Sequence, residues 1–431
     1  MNILFVYYNS QYPLRPTLAA SLDAFGLYSG HRVFMWNAAF RRRLGLLSQV
    51  RFDLVIFSTL FLSQHWGGAE HFSRMARRVS DVKRLDAVKV ALPQDEFYCP
   101  DLYSEFFNEF RIDVIYSVSP EETWPLIYRR LTYKPRFHRV LTGYIDERKA
   151  YQYPLAGRHT DIGYRTIGVP TPTYGTFGYR KWIIAARFLD ASRGRQLVVD
   201  ISTNDRDKLV GNAWYDFLAG CKYVLGVESG TSVVDHDGSL TRSTRAFLQD
   251  HPEASFEAVA QACLTGADGK ILIRAIGPRH FEACLTGTCQ ILVEGDYNGI
   301  LRPWEHYIPL KHDFSNIEEV LDLVERDDMR GRIVGNAWRD IVASGRYTHR
   351  SLVNYVLETA MEGRQPKGKP ALRRWGEELA FRWNQAIESV GWMTTRFVAV
   401  PVRGIVAMLK PALERLPTLM RALQFVRARL R

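Results

Sequence analysis

Apolar residues in the first third of the chain fall in short, almost unbroken runs: Ile3 to Tyr7, Val33 to Trp36, Leu54 to Phe57, Val88 to Leu92, which only Lys89 interrupts, and Val114 to Tyr116. Unbroken runs, rather than an alternating pattern, predict strands buried on both faces of a parallel sheet. The stretches between them have helical spacing. Thr17 can cap a helix that sets Leu18, Leu22 and Phe25 on one face, with Gly30 beyond its end, which makes a strand, helix, strand unit. Repetition of this unit predicts a doubly wound sheet with right-handed crossovers.

The pattern breaks over Gly143 to Pro172, a stretch of Tyr, Gly, Pro and charge that suits a linker, and then restarts. Ile162 to Arg165, Leu197 to Val199, Tyr223 to Val227, Ile271 to Ile273, Gln290 to Val293 and Tyr307 to Leu310 are expected strands, with helices near 178–190, 207–220, 255–264 and 280–286. Ser315 and Glu318 form a capping-box pattern that opens a helix at Ile317, and helices continue to about Glu362. The stretch from Arg279 to Gly299 is the most informative. Phe281 and Leu285 mark one face of a helix that carries Glu282, Gly287 ends it, and an apolar strand leads into a Gly-rich loop. In open α/β sheets, loops at strand carboxyl ends bind ligands. The expected fold is α/β, with two Rossmann-like, doubly wound parallel-sheet domains at 1–150 and 151–362 and a third segment at 363–431.

The 431 residues suffice for two buried cores, and 46% hydrophobic with 24% charged residues excludes wholesale disorder. Cys99, Cys221, Cys263, Cys284 and Cys289 form no Cys-x-x-Cys pair and leave one over, the expectation for reduced thiols in the cytoplasm. The first residues show no basic region or cleavage site of an export signal. Charge is the least even property. From Arg364 onward 14 Lys and Arg stand against 4 Glu, nearly all of the net +11. Arg396, Arg403 and Lys410 recur every seven residues among Val, Ile, Leu and Met, and after Pro417 a second stripe of Leu419, Leu423, Val426 and Leu430 is interspersed with Arg. No run has the length to span a bilayer. Residues 390–431 are therefore expected to lie on an anionic membrane surface, with packing on the body or on a second subunit as the alternative and no nucleic-acid partner.

Several motifs carry a resemblance. Lys222-Tyr-Val-Leu-Gly-Val-Glu-Ser-Gly230, Pro278-Arg-His-Phe-Glu-Ala283 and Pro303-Trp-Glu-His-Tyr-Ile-Pro-Leu310 resemble the blocks of bacterial group 1 glycosyltransferases, as do Leu92-Pro-Gln-Asp-Glu-Phe97 and Asp161-Ile-Gly-Tyr-Arg165. The resemblance covers most of residues 1 to 362 and implies a GT-B architecture, with the nucleotide-sugar donor on the second domain and the acceptor on the first. It also implies that Glu282 accepts hydrogen bonds from the donor ribose. Where many relatives have a further Glu eight positions earlier, this chain has Arg274.

Sugar transfer from a nucleoside diphosphate requires that the leaving diphosphate be stabilised by a metal or by cations and helix amino ends. Arg165, Arg279 and Lys181, which follows the glycine turn at Gly175, are the expected cations; Glu228, Ser229 and Gly230 are further donor-side candidates. Asp95, Glu96 and His65 are the candidates for the base that an inverting transfer needs. Asp235-His-Asp237 spells the Asp-x-Asp of metal-dependent transferases but is read as a cleft loop, and no metal or resident cofactor is expected. The sequence thus points to a hexosyltransferase-like, metal-independent enzyme, peripheral on the inner membrane face, that acts on a glycan or lipid-linked acceptor in cell-surface polysaccharide synthesis. The alternatives are a nucleotide-sugar epimerase of the same fold and a non-catalytic adaptor that binds membrane or nucleic acid through its tail.

Overall fold

A computed structural model describes residues 1–10, 16–39, 46–150, 153, 157–166, 174–366 and 371–394. The basic segment 395–431, with its two amphipathic stripes, lies outside the described residues.

The first sheet holds β1 (Asn2–Tyr7), β2 (Arg32–Asn37), β3 (Leu54–Phe57), β4 (Val88–Ala91), β5 (Val114–Ser117) and β6 (Arg136–Arg139), all parallel in the order β2-β1-β3-β4-β5-β6. The five expected runs are the first five strands, and β1, β3, β4 and β5 are buried along their whole length, as near-continuous apolar runs require. Helices α1 (Pro16–Tyr28), α2 (Ala69–Arg78) and α3 (Pro100–Phe110) belong to this domain. The sixth strand, Arg-Phe-His-Arg, was not expected. It is an edge strand, so its side chains stay half-buried or exposed and carry no apolar run.

The second sheet has the order β13-β12-β9-β7-β8, again all parallel: β7 (Thr160–Arg165), β8 (Val199–Ser202), β9 (Cys221–Gly226), β12 (Cys289–Val293) and β13 (Ile308–Leu310). Its helices are α4 (Gly175–Ala191), α5 (Asn212–Gly220), α6 (Ser239–Asp250), α7 (Pro278–Leu285) and α8 (Ile317–Arg326). Three expectations need correction. Leu197 to Val199 is displaced to the edge strand β8, and the Ile271 region forms β11 (Ile273–Ala275), which pairs antiparallel with β10 (Ser229–Thr231) outside the main sheet. The capping box does not form. Asn316 is the cap residue, and Glu318 instead pairs with Arg195 at 2.5 Å.

The chain then returns to the first domain. In α9 (His349–Ala360), Val353, Val356 and Ala360 are fully buried in one cluster with Leu22 and Phe25 of α1. Helix α10 (Ala371–Thr394) lies along the edge strand β2, where the Asn384 amide bonds both the Met35 N–H and carbonyl at 3.1 Å. The open edge is thereby covered. Two tandem parallel-sheet domains, the second sending its last helices back across the first, constitute a GT-B fold.

The domains meet at their strand carboxyl edges. Asp235 N–H donates to Phe97 carbonyl at 2.8 Å, and Cys99 N–H donates to Asp235 carbonyl at 2.7 Å. Thr142 Oγ1 reaches the Ile276 carbonyl at 2.5 Å, and a Cβ on Gly143 would stand 2.8 Å from the Pro278 ring, so only glycine lets the linker pass there.

Candidate active site

The carboxyl ends of β7 and β9 and the amino ends of α4 and α7 enclose a cavity of about 250 Å³. Its walls are aromatic, from Tyr164, Tyr174, Trp182 and Trp214, and its charges are Lys181 and Arg279. Each wall follows from local structure. Helix α7 opens at Gly277-Pro278 with no side-chain cap, so its first amides face the cavity with their share of the helix dipole. Proline at this position costs nothing, since its missing N–H would have no helical partner.

Lys181 sits in the second turn of α4, its ammonium 5.4 Å from the Tyr174 ring. Burial and the nearby Arg279 charge lower its pKa to about 8, and Asp95 partly opposes this. The Arg279 guanidinium lies over Trp214 at 5.2 Å and donates to the Arg165 carbonyl at 2.5 Å. Two cations held so close repel each other, and an anion between them would relieve that repulsion. His280 also lines the cavity, but burial pushes its pKa to about 4 and it stays neutral, bonded to Gln290 at 2.9 Å and the Val227 carbonyl at 3.2 Å.

Across the cleft stands Asp95 of the first domain. It follows β4, is exposed, and adopts the left-handed conformation with φ of 55°. For a non-glycine residue this conformation is strained, though Asp tolerates it better than most. The Trp66 indole N–H donates to Asp95 Oδ2 at 3.0 Å, and Trp66 stacks on Tyr98 at 4.3 Å. Loss of hydration within the cleft raises the Asp95 pKa, while Trp66 and Lys181 hold it back.

The other expected residues serve differently. Glu96 is buried and accepts from Ser117 Oγ, Val118 N, Ser119 N, Ser119 Oγ and the Tyr128 hydroxyl. It fastens the loop after β5 and has no path to a substrate. His65 is fully buried, with Nδ1 3.0 Å from both the Leu62 carbonyl and the Tyr103 hydroxyl, and burial lowers its pKa to about 4. It supports the Asp95 loop from below and is not open to the cleft. Arg165 is committed to Asp200 in a two-pronged ion pair at 2.7 and 2.8 Å and stacks on Phe217 at 4.4 Å. Only its carbonyl serves the site, by fixing Arg279.

Glu282 stands behind the cavity wall rather than in it. Its Oε2 accepts from the Trp214 indole at 2.7 Å, and burial raises its pKa. The carboxylate therefore orients an aromatic wall. Ser229 lines the cavity, whereas Gly230 is structural: its φ is 136°, and a Cβ there would come within 1.9 Å of the Ile273 carbonyl across the β10–β11 ribbon. Glu228 is buried, accepts from Tyr297 N–H at 2.8 Å, and feels the Arg274 charge, which lowers a pKa that burial raises. The glycine turn at Gly175 also differs from expectation. The Thr176 N–H goes to Asp268 and the Phe177 N–H to Ser232, each at 3.0 Å, so the open amino end is that of α7, not α4.

In the Asp-x-Asp sequence, Asp235 gives both oxygens to Leu240 and Thr241 at the start of α6 and clasps the first domain through its backbone. Among the described residues, Glu305, His306 and Asp340 alone have the spacing of a metal site, and their carboxylates are engaged by Arg302 and Arg339. Sequence reasoning missed Trp66, Trp214, Tyr174 and His280. Only the density of aromatics around Lys181 hinted at them.

Solved structures with a similar fold include HepE, a DNA-modifying β-glucosyltransferase and TarM. No protein-family model matches the chain and no curated protein matches its sequence. HepE of Anabaena in complex with UDP is similar over 83% of this chain and 99% of its own, at 12% identity and a TM-score of 0.43. The DNA-modifying β-glucosyltransferase is similar over 84% of this chain and 100% of its own, at 10% identity and a TM-score of 0.49. TarM is similar over 71% of this chain at 12% identity and a TM-score of 0.42, and the match spans 54% of TarM.

Proposed function

We propose that this chain transfers a sugar from a nucleoside-diphosphate donor to an acceptor hydroxyl. One observation carries the reading: Lys181, Arg279 and the uncapped start of α7 converge on an aromatic cavity, with the Asp95 carboxylate reaching toward them from the other domain. The diphosphate lies against the two cations and the α7 amides, which stabilise the charge that develops as the glycosidic bond breaks. A nucleoside ring stacks on Trp214 or its neighbours. Asp95 takes the proton from the acceptor hydroxyl, the step that makes the oxygen nucleophilic in an inverting transfer. Two cations at the leaving group favour a metal-independent reaction. The acceptor is a glycan or lipid-linked glycan of cell-surface polysaccharide synthesis, met at the cytoplasmic membrane face through residues 390–431.

A donor panel with product detection, run with and without chelator, tests this. Transfer that persists in chelator is expected; its complete loss would rule out the metal-free reaction. Isomerised sugar released without consumption of acceptor would identify an epimerase instead.

A further inference from the structure

Helix α10 is fixed to the first domain by one side only. Glu377 is fully buried and accepts from the Arg51 N–H at 2.9 Å, Phe381 packs edge-on to Phe34 at 5.3 Å, and the Tyr7 hydroxyl donates to Glu388 at 2.6 Å. These contacts, with Asn384 on the β2 edge, set the rotation of the helix about its own axis. The opposite consequence is an apolar stripe left in solvent. Trp375 and Trp383 are each 69% exposed, Leu379 58% and Ile387 38%. Their spacing of four puts them on one side of the helix, over about 18 Å. No rotation can bury them while the polar clamp holds.

A continuous exposed stripe with two tryptophans calls for a partner. Charge indicates which. The stripe is carried by the part of the chain from Arg364 onward, where 14 Lys and Arg face 4 Glu, and α10 runs directly into the basic, amphipathic residues 395–431. Arg382, 76% exposed, borders the stripe itself. Tryptophan beside arginine on a helix that lies flat is the chemistry of a bilayer interface, where the rings enter the headgroup region and the cations meet anionic lipid.

We infer that the Trp375, Leu379, Trp383 and Ile387 face of α10 is a docking surface for an anionic lipid bilayer, and that it holds the first domain at a set orientation to the membrane. This extends the membrane reading of the tail to a rigid element of the fold, and the test separates the two. The full chain is floated with vesicles of phosphatidylcholine, with and without phosphatidylglycerol, at low and high salt, beside Trp375→Ser/Trp383→Ser and Trp375→Phe/Trp383→Phe. The native chain binds the anionic vesicles and keeps part of that binding at high salt, since the apolar contribution is not screened. The Ser pair weakens binding about tenfold or more and removes the salt-resistant part, while the Phe pair retains most of it. Unchanged melting temperature and nucleotide affinity confirm that the fold is intact. If the Ser pair binds as the native chain does, the tail alone docks, or covers the stripe, and the inference fails. If the native chain leaves the vesicles entirely at high salt, or binds none, it fails as well. A Ser pair that changes oligomeric mass without losing vesicle binding would assign the stripe to a second copy.

Discussion

Among the individual residues, two neighbouring carboxylates show how environment separates chemistry from support. Glu96 spends its oxygens on five donors, whereas Asp95 has one, from Trp66, and faces the cleft. Asp95→Asn should therefore lower kcat by roughly 10² to 10⁴ with little change in donor affinity, and Glu96→Gln should act on melting temperature instead. The pH dependence has a definite sign. In the proposed transfer Asp95 acts deprotonated, so its raised pKa should move the acid limb of the rate upward. In the same proposal Lys181 acts protonated, so activity should fall as pH rises through about 8. Lys181→Arg should move that alkaline limb upward, read as a pH profile of kcat/KM. Glu282→Ala leaves the partly buried Trp214 N–H without its acceptor, a cost of about 1 kcal/mol. Donor KM should rise as that wall loosens, with kcat less affected; an unchanged KM would detach Glu282 from the cavity.

For the elements, the site depends on how α7, α4 and the β10–β11 ribbon close on one another. Gly230 is the tightest point. Gly230→Ala forces a Cβ onto the Ile273 carbonyl, should cost roughly 1–3 kcal/mol and should weaken donor binding by shifting Ser229. Gly194, with φ of 79° in open space, is the control: Gly194→Ala bears only the backbone strain, about 1–2 kcal/mol. Chemical denaturation with nucleotide titration distinguishes the two. The buried strands were legible because β1, β3, β4, β5 and β12 are buried along their whole length and mostly apolar, with Asn2, Lys89, Ser117 and Gln290 the polar exceptions, and burial on both faces is what a near-continuous apolar run encodes. The edge strands β6 and β8 were not. Strands β6 and β8 have one unpaired side and half-exposed residues, so their composition resembles that of loops. The Ser315 and Glu318 pattern failed because Arg195, distant in sequence, drew Glu318 away.

Across the whole molecule, the return of α9 and α10 to the first domain ties the two sheets into one structure. Unfolding should then be a single transition. A nucleoside diphosphate at 100 times its Kd should raise stability by about 2.7 kcal/mol and shift the entire transition upward in calorimetry. Two transitions, only one of them responsive to ligand, would contradict this.

The sequence by itself determined the two parallel sheets and the basic final segment, because each is written in local composition and spacing. It also singled out Arg279, Lys181 and Asp95, since cations and acids at strand and helix ends follow from local pattern. Which partners those groups meet was decided only by tertiary structure. Arg165 and Glu96 look as available as Arg279 and Asp95 along the chain, and they differ solely in the partners that distant segments bring. Glu282 shows the same limit: its helix was evident, but only the approach of Trp214 from α5 turned its carboxylate from a wall of the cavity into the support behind one.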